Sequence, residues 1–172
     1  IIIIGDHGHD EVVGIASHVK DPVVVATTEE AKNLRKTKRA GIVSQSTQTI
    51  ENVQEIVNIL MSKVVDLRFI NTICFPTKRN QEQIKELSEK CDAMIIIGSF
   101  TSANSKRLTD LSNQRNKRSY QVTCAVEIDE KWLEDCDTVG ISAGASTPDN
   151  IIKEVIERVK EIGNVQEEEI YA

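Results

Sequence analysis

The chain has 172 residues, of which 40% are hydrophobic, and a formal net charge of −6. This length allows one domain of ordinary size or two small ones, each with an apolar core. The acidic balance and the scattered Lys and Arg argue against binding to nucleic acid or to an anionic membrane, and no run resembles a transmembrane segment or a signal peptide, so we expect a cytoplasmic protein.

Seven short apolar runs are interpreted as strands. They lie at residues 1–4, 22–26, 40–44, 66–71, 93–97, 119–123 and 137–142. Between them, apolar residues recur at helical spacing, most clearly over 50–61 and 152–159. This alternation is typical of βαβ units and predicts an α/β fold with mainly parallel sheets flanked by helices.

The loop after the first run is rich in groups that can bind ligands or transfer protons. It contains His7, His9 and Glu11. Because sites form beyond the carboxyl ends of parallel strands, we expect His9 to donate to an anion and Glu11 to hold a proton for transfer. The alternatives are a zinc site built on the His-x-His-x-Glu pattern and a solvated polar loop.

The second half of the chain repeats the first, which predicts two similar small domains. Residues 2–5 correspond to residues 95–98, which lie 93 positions later. A loop and helix at 74–90 precede the first strand of the second copy. If the repeat holds, an equivalent segment precedes Ile1, and the counterpart of Cys74 lies roughly twenty residues upstream of it.

The expected domains follow from this repeat. They are one repeat domain at 1–71 that lacks its first loop and helix, another repeat domain at 72–165, and an acidic tail at 166–172.

Small polar residues follow several of the predicted strands. They are Ser46, Thr47, Ser102, Asn104 and Ser146. Each could simply cap a helix, because Ser, Thr and Asn are the preferred capping residues. As a set at helix N-termini, they predict a neutral polar cradle for a phosphate group.

Cys74 is the cysteine of most interest, because it follows an apolar stretch at a strand end on the same face as these polar groups. The chain has four cysteines and no C-x-x-C pair, which does not suggest a disulfide framework. The other three are expected to be structural. Cys74 could be a nucleophile or a cluster ligand, but one thiolate alone cannot hold an iron–sulfur centre.

Five motifs in this order resemble those of 4-hydroxy-3-methylbut-2-enyl diphosphate reductases, the LytB-type iron–sulfur reductases of the non-mevalonate isoprenoid pathway. The motifs are Gly8-His9-Asp10-Glu11-Val12-Val13-Gly14, Ser44-Gln45-Ser46-Thr47, Thr72-Ile73-Cys74 with Arg79-Asn80-Gln81, Gly98-Ser99 with Ser102-Ala103-Asn104-Ser105, and Ala143-Gly144-Ala145-Ser146-Thr147-Pro148-Asp149. The resemblance implies a fold of three similar α/β domains around a central cluster. It also implies reductive removal of an allylic hydroxyl, which gives isopentenyl and dimethylallyl diphosphates.

The resemblance also implies a role for each site residue. Cys74 would be one of three thiolates on a [4Fe–4S] cluster, Glu11 would relay a proton, and Ser46 would place a hydroxyl near Glu11 and the substrate alcohol. The residues that would hold the substrate diphosphate or hydroxyl are His9, Ser46, Thr47, Ser102, Asn104 and Ser146. The family usually has threonine where Ser46 stands, and Ala103 replaces a residue that is serine in some members.

By the same resemblance, the other two cluster cysteines are expected upstream of Ile1. The chain would then be domains two and three of three, inactive by itself. Reduced ferredoxin or flavodoxin would be the electron donor of the whole enzyme. The rival function is a redox-independent phosphate or sugar-phosphate binding protein, or an isomerase that uses Glu11 as acid or base.

Overall fold

A computed structural model describes residues 1–163, within which strands and helices alternate as predicted. The chain divides into two compact units, Ile1–Lys78 and Arg79–Ala172. The expected domain limits at 71 and 165 stay a prediction, and the expected acidic tail lies outside the described residues. No helix within residues 1–163 is long and apolar enough to cross a membrane.

The first unit is a parallel four-stranded sheet in the order β2-β1-β3-β4. Its elements are β1 (Ile2–Ile4), α1 (Asp10–Ser17), β2 (Val23–Val25), α2 (Thr28–Asn33), β3 (Thr37–Ser44), α3 (Ile50–Met61) and β4 (Val64–Phe69).

The strand limits differ most from the sequence-based prediction in β3 and β4. Strand β3 begins at Thr37 rather than at residue 40, because the polar residues 37–39 continue the backbone ladder with β4 although they lack apolar side chains. Arg39 Nε donates to Asp66 across this ladder at 2.9 Å. Strand β4 ends at Phe69 rather than at residue 71.

Strand β1 is the centre of this unit. All three of its isoleucines are buried, because the strand pairs with β2 on one side and with β3 on the other. Val53, Ile56 and Leu60 of α3 recur at helical spacing and pack in the same core cluster as Ile4. Burial on both faces explains why the apolar run shows no alternation.

The second unit repeats this arrangement in a parallel sheet of order β6-β5-β7. The remaining elements are α4 (Phe75–Lys90), which begins before the unit boundary, β5 (Ala93–Ile97), α5 (Ala103–Asn113), β6 (Ser119–Val122), β7 (Val139–Ala143), α6 (Asp149–Gly163), and two short 3₁₀ helices at Ala125–Glu127 and Glu130–Leu133.

Strand β5 is buried on both faces by helices. Ile95 and Ile97 pack in one cluster with Val155 of α6. Met94 and Ile96 pack in another cluster, which includes residues of α4 and α5. The second unit is therefore a three-layer α/β/α structure, as the βαβ pattern predicts.

Asp92 links the residues before β5 to the residues before β7 in the second unit. Its Oδ2 accepts hydrogen bonds from the backbone N–H of Thr138 at 2.8 Å, from the Thr138 hydroxyl at 2.9 Å and from the backbone N–H of Asp137 at 3.0 Å. These donors, first of all the backbone N–H of Thr138, hold the pKa of the Asp92 carboxyl below its usual range.

We predict that Asp92→Asn lowers stability in a pH-dependent way, since it removes the charge but keeps an accepting oxygen. At a pH above the ordinary pKa of aspartate, the charged Asp92 carboxylate stabilises the fold, because its pKa is lower in the folded than in the unfolded chain. This stabilisation is lost as the pH falls through the lowered pKa. Thermal unfolding of both proteins should therefore show the largest difference in midpoint near neutral pH and a smaller one in acid. Asp110→Asn, on the exposed surface of α5, controls for the loss of one negative charge. A difference of equal size at every pH would contradict this expectation.

Candidate functional site

In each unit the carboxyl ends of the parallel strands lie at one edge of the sheet, and the predicted site residues follow these ends. His9, Glu11, Ser46, Thr47 and Cys74 belong to the first unit. Ser102, Asn104 and Ser146 belong to the second.

His9 is the N-cap of α1. Its ring is half-buried, and the hydrogen bond that it accepts shows which ring nitrogen carries the hydrogen. The backbone N–H of Glu11 donates to His9 Nδ1 at 3.2 Å. Because a backbone N–H can only donate, Nδ1 carries no hydrogen, and in the neutral ring the hydrogen is on Nε2. His9 therefore offers Nε2–H to a hydrogen-bond acceptor.

Glu11 binds Ser46 through both of its carboxylate oxygens. Oε1 accepts from the backbone N–H of Ser46 at 2.7 Å, and Oε2 accepts from the Ser46 hydroxyl at 2.8 Å. The contact joins the start of α1 to the loop after β3. A carboxyl group in direct contact with a hydroxyl forms a short path for a proton.

Ser46 and Thr47 are not helix caps, so the simpler interpretation of these two residues is wrong. The N-cap of α3 is Thr49, whose hydroxyl accepts from Asn52 N at 3.2 Å. Ser46 and Thr47 lie in the turn before it. Thr47 Oγ1 instead accepts from Gln45 Nε2 at 2.9 Å.

His7 lies beside His9 in sequence but has a different partner. Its Nε2 is 2.9 Å from Glu30 Oε2, which also accepts from Ala26 N at 2.8 Å. The Ala26 N–H and, to a smaller extent, His7 lower the pKa of Glu30. Among residues 1–163 no three His, Cys, Asp or Glu side chains are grouped to hold a metal ion, and this includes His7, His9 and Glu11.

Cys74 is an exposed thiol next to the Ser46 loop. It follows β4 after a connecting segment rather than directly, because that strand ends at Phe69. The backbone N–H of Cys74 donates to the Ser46 carbonyl at 3.1 Å, and its Sγ lies 2.9 Å from Thr77 Oγ1. The bond to the Ser46 carbonyl holds the residue before α4 against the loop that carries Ser46.

The other three cysteines differ from Cys74 in exposure. All three are half-buried, whereas Cys74 is exposed. Burial raises the pKa of the Cys91 and Cys136 thiols, which opposes formation of the thiolate that binds metals. Cys74 is thus the cysteine of this chain best placed to act as a ligand.

In the second unit, Ser102 and Asn104 occupy the start of α5. Ser102 is the N-cap, and its hydroxyl accepts from Ser105 N at 3.3 Å, so the capping interpretation holds for this residue. The first N–H groups of a helix lack partners within the helix and favour an anion. Capping and anion binding are compatible at this position.

Asn104 is only 8% exposed, and neither atom of its side-chain amide has a hydrogen-bond partner among the described residues. A buried polar group without a hydrogen-bond partner lowers the free energy of unfolding by about 1–3 kcal/mol. Such groups are rare in native folds, and a bound ligand, an ion or an ordered water is the usual explanation. Neither this burial nor this lack of partners is readable from the sequence.

Ser146 is exposed in the turn between β7 and α6. The same turn is tied to the end of β5, because Gly144 N and Thr147 Oγ1 both donate to the Ile97 carbonyl, at 2.8 Å and 3.1 Å. Ser146 therefore lies at the same edge of the sheet as the start of α5.

Two glycines allow α5 to begin close to these strand ends. A Cβ atom at Gly144 would lie 2.6 Å from Ser105 Oγ, and one at Gly98 would overlap the same hydroxyl. The absence of these Cβ atoms lets Ser105 fit between the two backbones, which holds the first turn of α5 at the edge of the sheet.

We predict that Asn104→Leu stabilises the ligand-free protein, because leucine is branched like asparagine but has no polar atoms to satisfy. The free energy of unfolding, measured by denaturant titration, should rise by about 1 kcal/mol. Asn150→Leu on the exposed surface of α6 is the control and should change it by no more than about 0.5 kcal/mol. A loss of stability in Asn104→Leu would show that the amide has a partner inside the fold.

Known proteins resemble this chain over most of its length. The family model described as LytB protein matches residues 1–160. The 4-hydroxy-3-methylbut-2-enyl diphosphate reductase of Geobacter sulfurreducens is 41% identical over 165 residues, and that of Campylobacter jejuni subsp. doylei is 42% identical over 164 residues. Each alignment covers 95% of this chain but only 58% and 59% of the respective relative. The chain thus spans less than two thirds of the length of these relatives.

Two solved structures are also similar. The E-1-hydroxy-2-methyl-but-2-enyl-4-diphosphate reductase from Plasmodium falciparum matches with a TM-score of 0.85 at 26% identity, over 92% of this chain and 52% of that one. A structure described as (E)-4-hydroxy-3-methyl-but-2-enyl diphosphate reductase, the terminal enzyme of the non-mevalonate pathway, is 39% identical with a TM-score of 0.54, over 93% of this chain and 58% of that one. These similarities confirm the predicted α/β fold.

Proposed function

We propose, from the premise that this chain belongs to the LytB protein family, that it is part of a 4-hydroxy-3-methylbut-2-enyl diphosphate reductase. The whole protein would remove the allylic hydroxyl of its substrate by reduction and release isopentenyl and dimethylallyl diphosphates. The observation that carries the proposal is the buried, unpartnered amide of Asn104 at the start of α5.

The second unit would supply neutral groups to the diphosphate. Asn104 Nδ2 donates to a phosphate oxygen, and the N–H groups at the start of α5 favour the same anion. Ser102 and Ser146 add hydroxyl groups at this edge of the sheet. His9 and Thr47 of the first unit stay predictions as substrate-binding residues.

Glu11 and Ser46 would supply the proton that converts the hydroxyl into a leaving water. Ser46 Oγ gives its hydrogen to the allylic oxygen and takes the proton of a protonated Glu11 through the existing 2.8 Å contact. The reaction consumes two electrons and two protons. The allylic C–O bond breaks, its oxygen leaves as water, and one carbon of the allyl group gains a hydrogen.

Cys74 fits the role of one ligand to the [4Fe–4S] cluster that membership of the family implies. Its thiol is exposed and its backbone N–H is bonded to the Ser46 carbonyl, but the described residues hold no complete set of ligands. When bound, such a cluster supplies electrons and, at an iron without a protein thiolate, Lewis acidity. The electron donor would be reduced ferredoxin or flavodoxin, in the cytoplasm.

We predict that Glu11→Gln in the whole protein lowers kcat by about 100-fold or more and leaves KM within a few-fold, because it removes the proton but keeps the contact with Ser46. Ser46→Ala should lower kcat in the same way. Ser46→Thr, which keeps the hydroxyl, should stay close to the wild type. The measurement is anaerobic turnover with a chemical reductant. Wild-type turnover by Glu11→Gln would exclude Glu11 as the proton donor.

We also predict that Cys74→Ser in the whole protein loses both the intact cluster and turnover, whereas Cys136→Ser keeps them. Iron and sulfide counts and visible absorption after anaerobic reconstitution measure the cluster. This chain by itself should assemble no four-iron cluster, because it offers one suitable thiol. A stable four-iron cluster on this chain, or full activity of Cys74→Ser, would contradict the reductase proposal, and the second result would favour a redox-independent phosphate binder or isomerase.

A further inference from the structure

Thr77 is a buried residue in the first turn of α4, three positions after Cys74. It is only 4% exposed, and its Oγ1 lies 2.9 Å from Cys74 Sγ. Residues three positions apart lie on the same side of a helix, and α4 begins directly after Cys74, so the two side chains meet. Within residues 1–163 this hydroxyl has no second hydrogen-bond partner. The sulfur is thus the partner that satisfies a buried hydroxyl.

This partner is unusual for a threonine in a helix, whose hydroxyl commonly bonds to the carbonyl three or four residues earlier. Thr109 of α5 does so, because its Oγ1 donates to the Ser105 carbonyl at 2.9 Å. The carbonyls of Ile73 and Cys74 stand in these positions before Thr77, but its hydroxyl contacts the sulfur instead. The side chain of Thr77 is thus directed toward the proposed ligand atom.

The backbone that carries Cys74 is held on both sides. Its N–H donates to the Ser46 carbonyl at 3.1 Å, and its carbonyl accepts from the backbone N–H of Lys78 at 3.1 Å. Ile73, directly before it, is buried in the core of the first unit. The position of the sulfur therefore depends mainly on rotation about the Cα–Cβ bond of Cys74, and the contact with Thr77 favours one rotamer.

The contact leaves the sulfur accessible. Cys74 is exposed, whereas Thr77 is buried. A metal can therefore reach the sulfur from the solvent side while Thr77 binds it from the buried side. A side chain that is held in one orientation before the metal binds loses less conformational entropy when it becomes a ligand.

The hydrogen of this contact belongs to Thr77 once the sulfur is a ligand. In a free thiol, either the Cys74 S–H or the Thr77 O–H can donate. A cysteine binds iron as a thiolate, which has no hydrogen and can only accept. Because the Thr77 hydroxyl has no other acceptor within residues 1–163, it then donates to Cys74 Sγ.

A donor at the sulfur also affects the uptake of electrons proposed for the whole protein. Each electron that enters an iron–sulfur centre increases the negative charge on its sulfur ligands, and a hydrogen bond to a more negative acceptor is stronger. The Thr77 hydroxyl therefore stabilises the reduced state more than the oxidised state. Hydrogen bonds to the sulfurs are among the factors that set the reduction potentials of such centres.

We propose that Thr77 is a positioning residue for Cys74: its hydroxyl donates to the ligand sulfur, holds the side chain in the orientation that binds the cluster, and raises the reduction potential of that cluster. This inference rests on the proposed function and extends it to a residue that acts through Cys74.

The test is a redox titration of the substrate-free whole protein after anaerobic reconstitution, with dithionite and mediators and with EPR detection of the reduced cluster. Thr77→Val removes the hydroxyl and keeps the branched shape. At a fixed potential its ratio of reduced to oxidised cluster should be about ten-fold lower than in the wild type, which is a midpoint about 59 mV more negative for a one-electron couple. Thr77→Ser, which keeps the hydroxyl, should have the wild-type midpoint.

Two comparisons separate the hydrogen bond from packing. A packing effect of the lost methyl group would shift the midpoint in Thr77→Ser and spare Thr77→Val. Thr109→Val removes a half-buried threonine hydroxyl of α5 that bonds to protein oxygens, and it should leave the midpoint unchanged.

A crystal structure of the wild-type protein with its cluster decides the matter if Thr77→Val takes up no cluster. Thr77 Oγ1 within hydrogen-bond distance of Cys74 Sγ would support the role. A hydroxyl turned to another partner would overturn it.

The outcomes also separate this inference from the proposed function. If the wild type holds the cluster and turns over substrate, but Thr77→Val has the wild-type midpoint, the role of Thr77 is wrong and the proposed function stands. The role is equally wrong if Thr77→Ser shifts the midpoint as far as Thr77→Val. If the wild-type protein takes up no cluster, the proposed function fails, and the role of Thr77 fails with it.

Discussion

Each unit depends on one central strand that is buried on both faces and paired in parallel on both sides. Strand β1 lies between β2 and β3, and β5 lies between β6 and β7. Parallel pairing requires a crossover after every strand, so all the carboxyl ends lie at one edge and every helix starts near it. The polar residues of the candidate site follow from this constraint, because they occupy the loops and helix starts at that edge.

The two units use this edge in different ways. In the first, the polar groups satisfy one another: Glu11 accepts twice from Ser46, and Gln45 joins Asp6 to Thr47. In the proposed function, the contact of Glu11 with Ser46 would pass a proton. In the second, the Asn104 amide is buried without a partner among residues 1–163, which is unfavourable unless a bound group satisfies it. In the proposed function, the first unit would deliver a proton and the second would bind an anion through groups that are already in place.

The apolar runs predicted every strand of the described chain, most clearly β1 and β5, which are buried throughout and apolar throughout. They missed the polar start of β3, which is stabilised by backbone pairing rather than by burial. The sequence also indicated that Ser46 and Thr47 could cap a helix, whereas Thr49 does so. The contact of Gln45 with Asp6 joins residues 39 positions apart, so no local pattern could reveal it. For the same reason the sequence placed Asn104 at a helix start but could not show that its amide is buried and unpartnered.

The proposed role of the Asn104 amide is to bind the substrate diphosphate. It can be tested by a crystal structure of the whole protein with the alkenyl diphosphate bound. We expect a phosphate oxygen within hydrogen-bond distance of Asn104 Nδ2, at about 2.7–3.2 Å. A diphosphate bound elsewhere, with the Asn104 amide unpartnered or satisfied by a protein group, would contradict it.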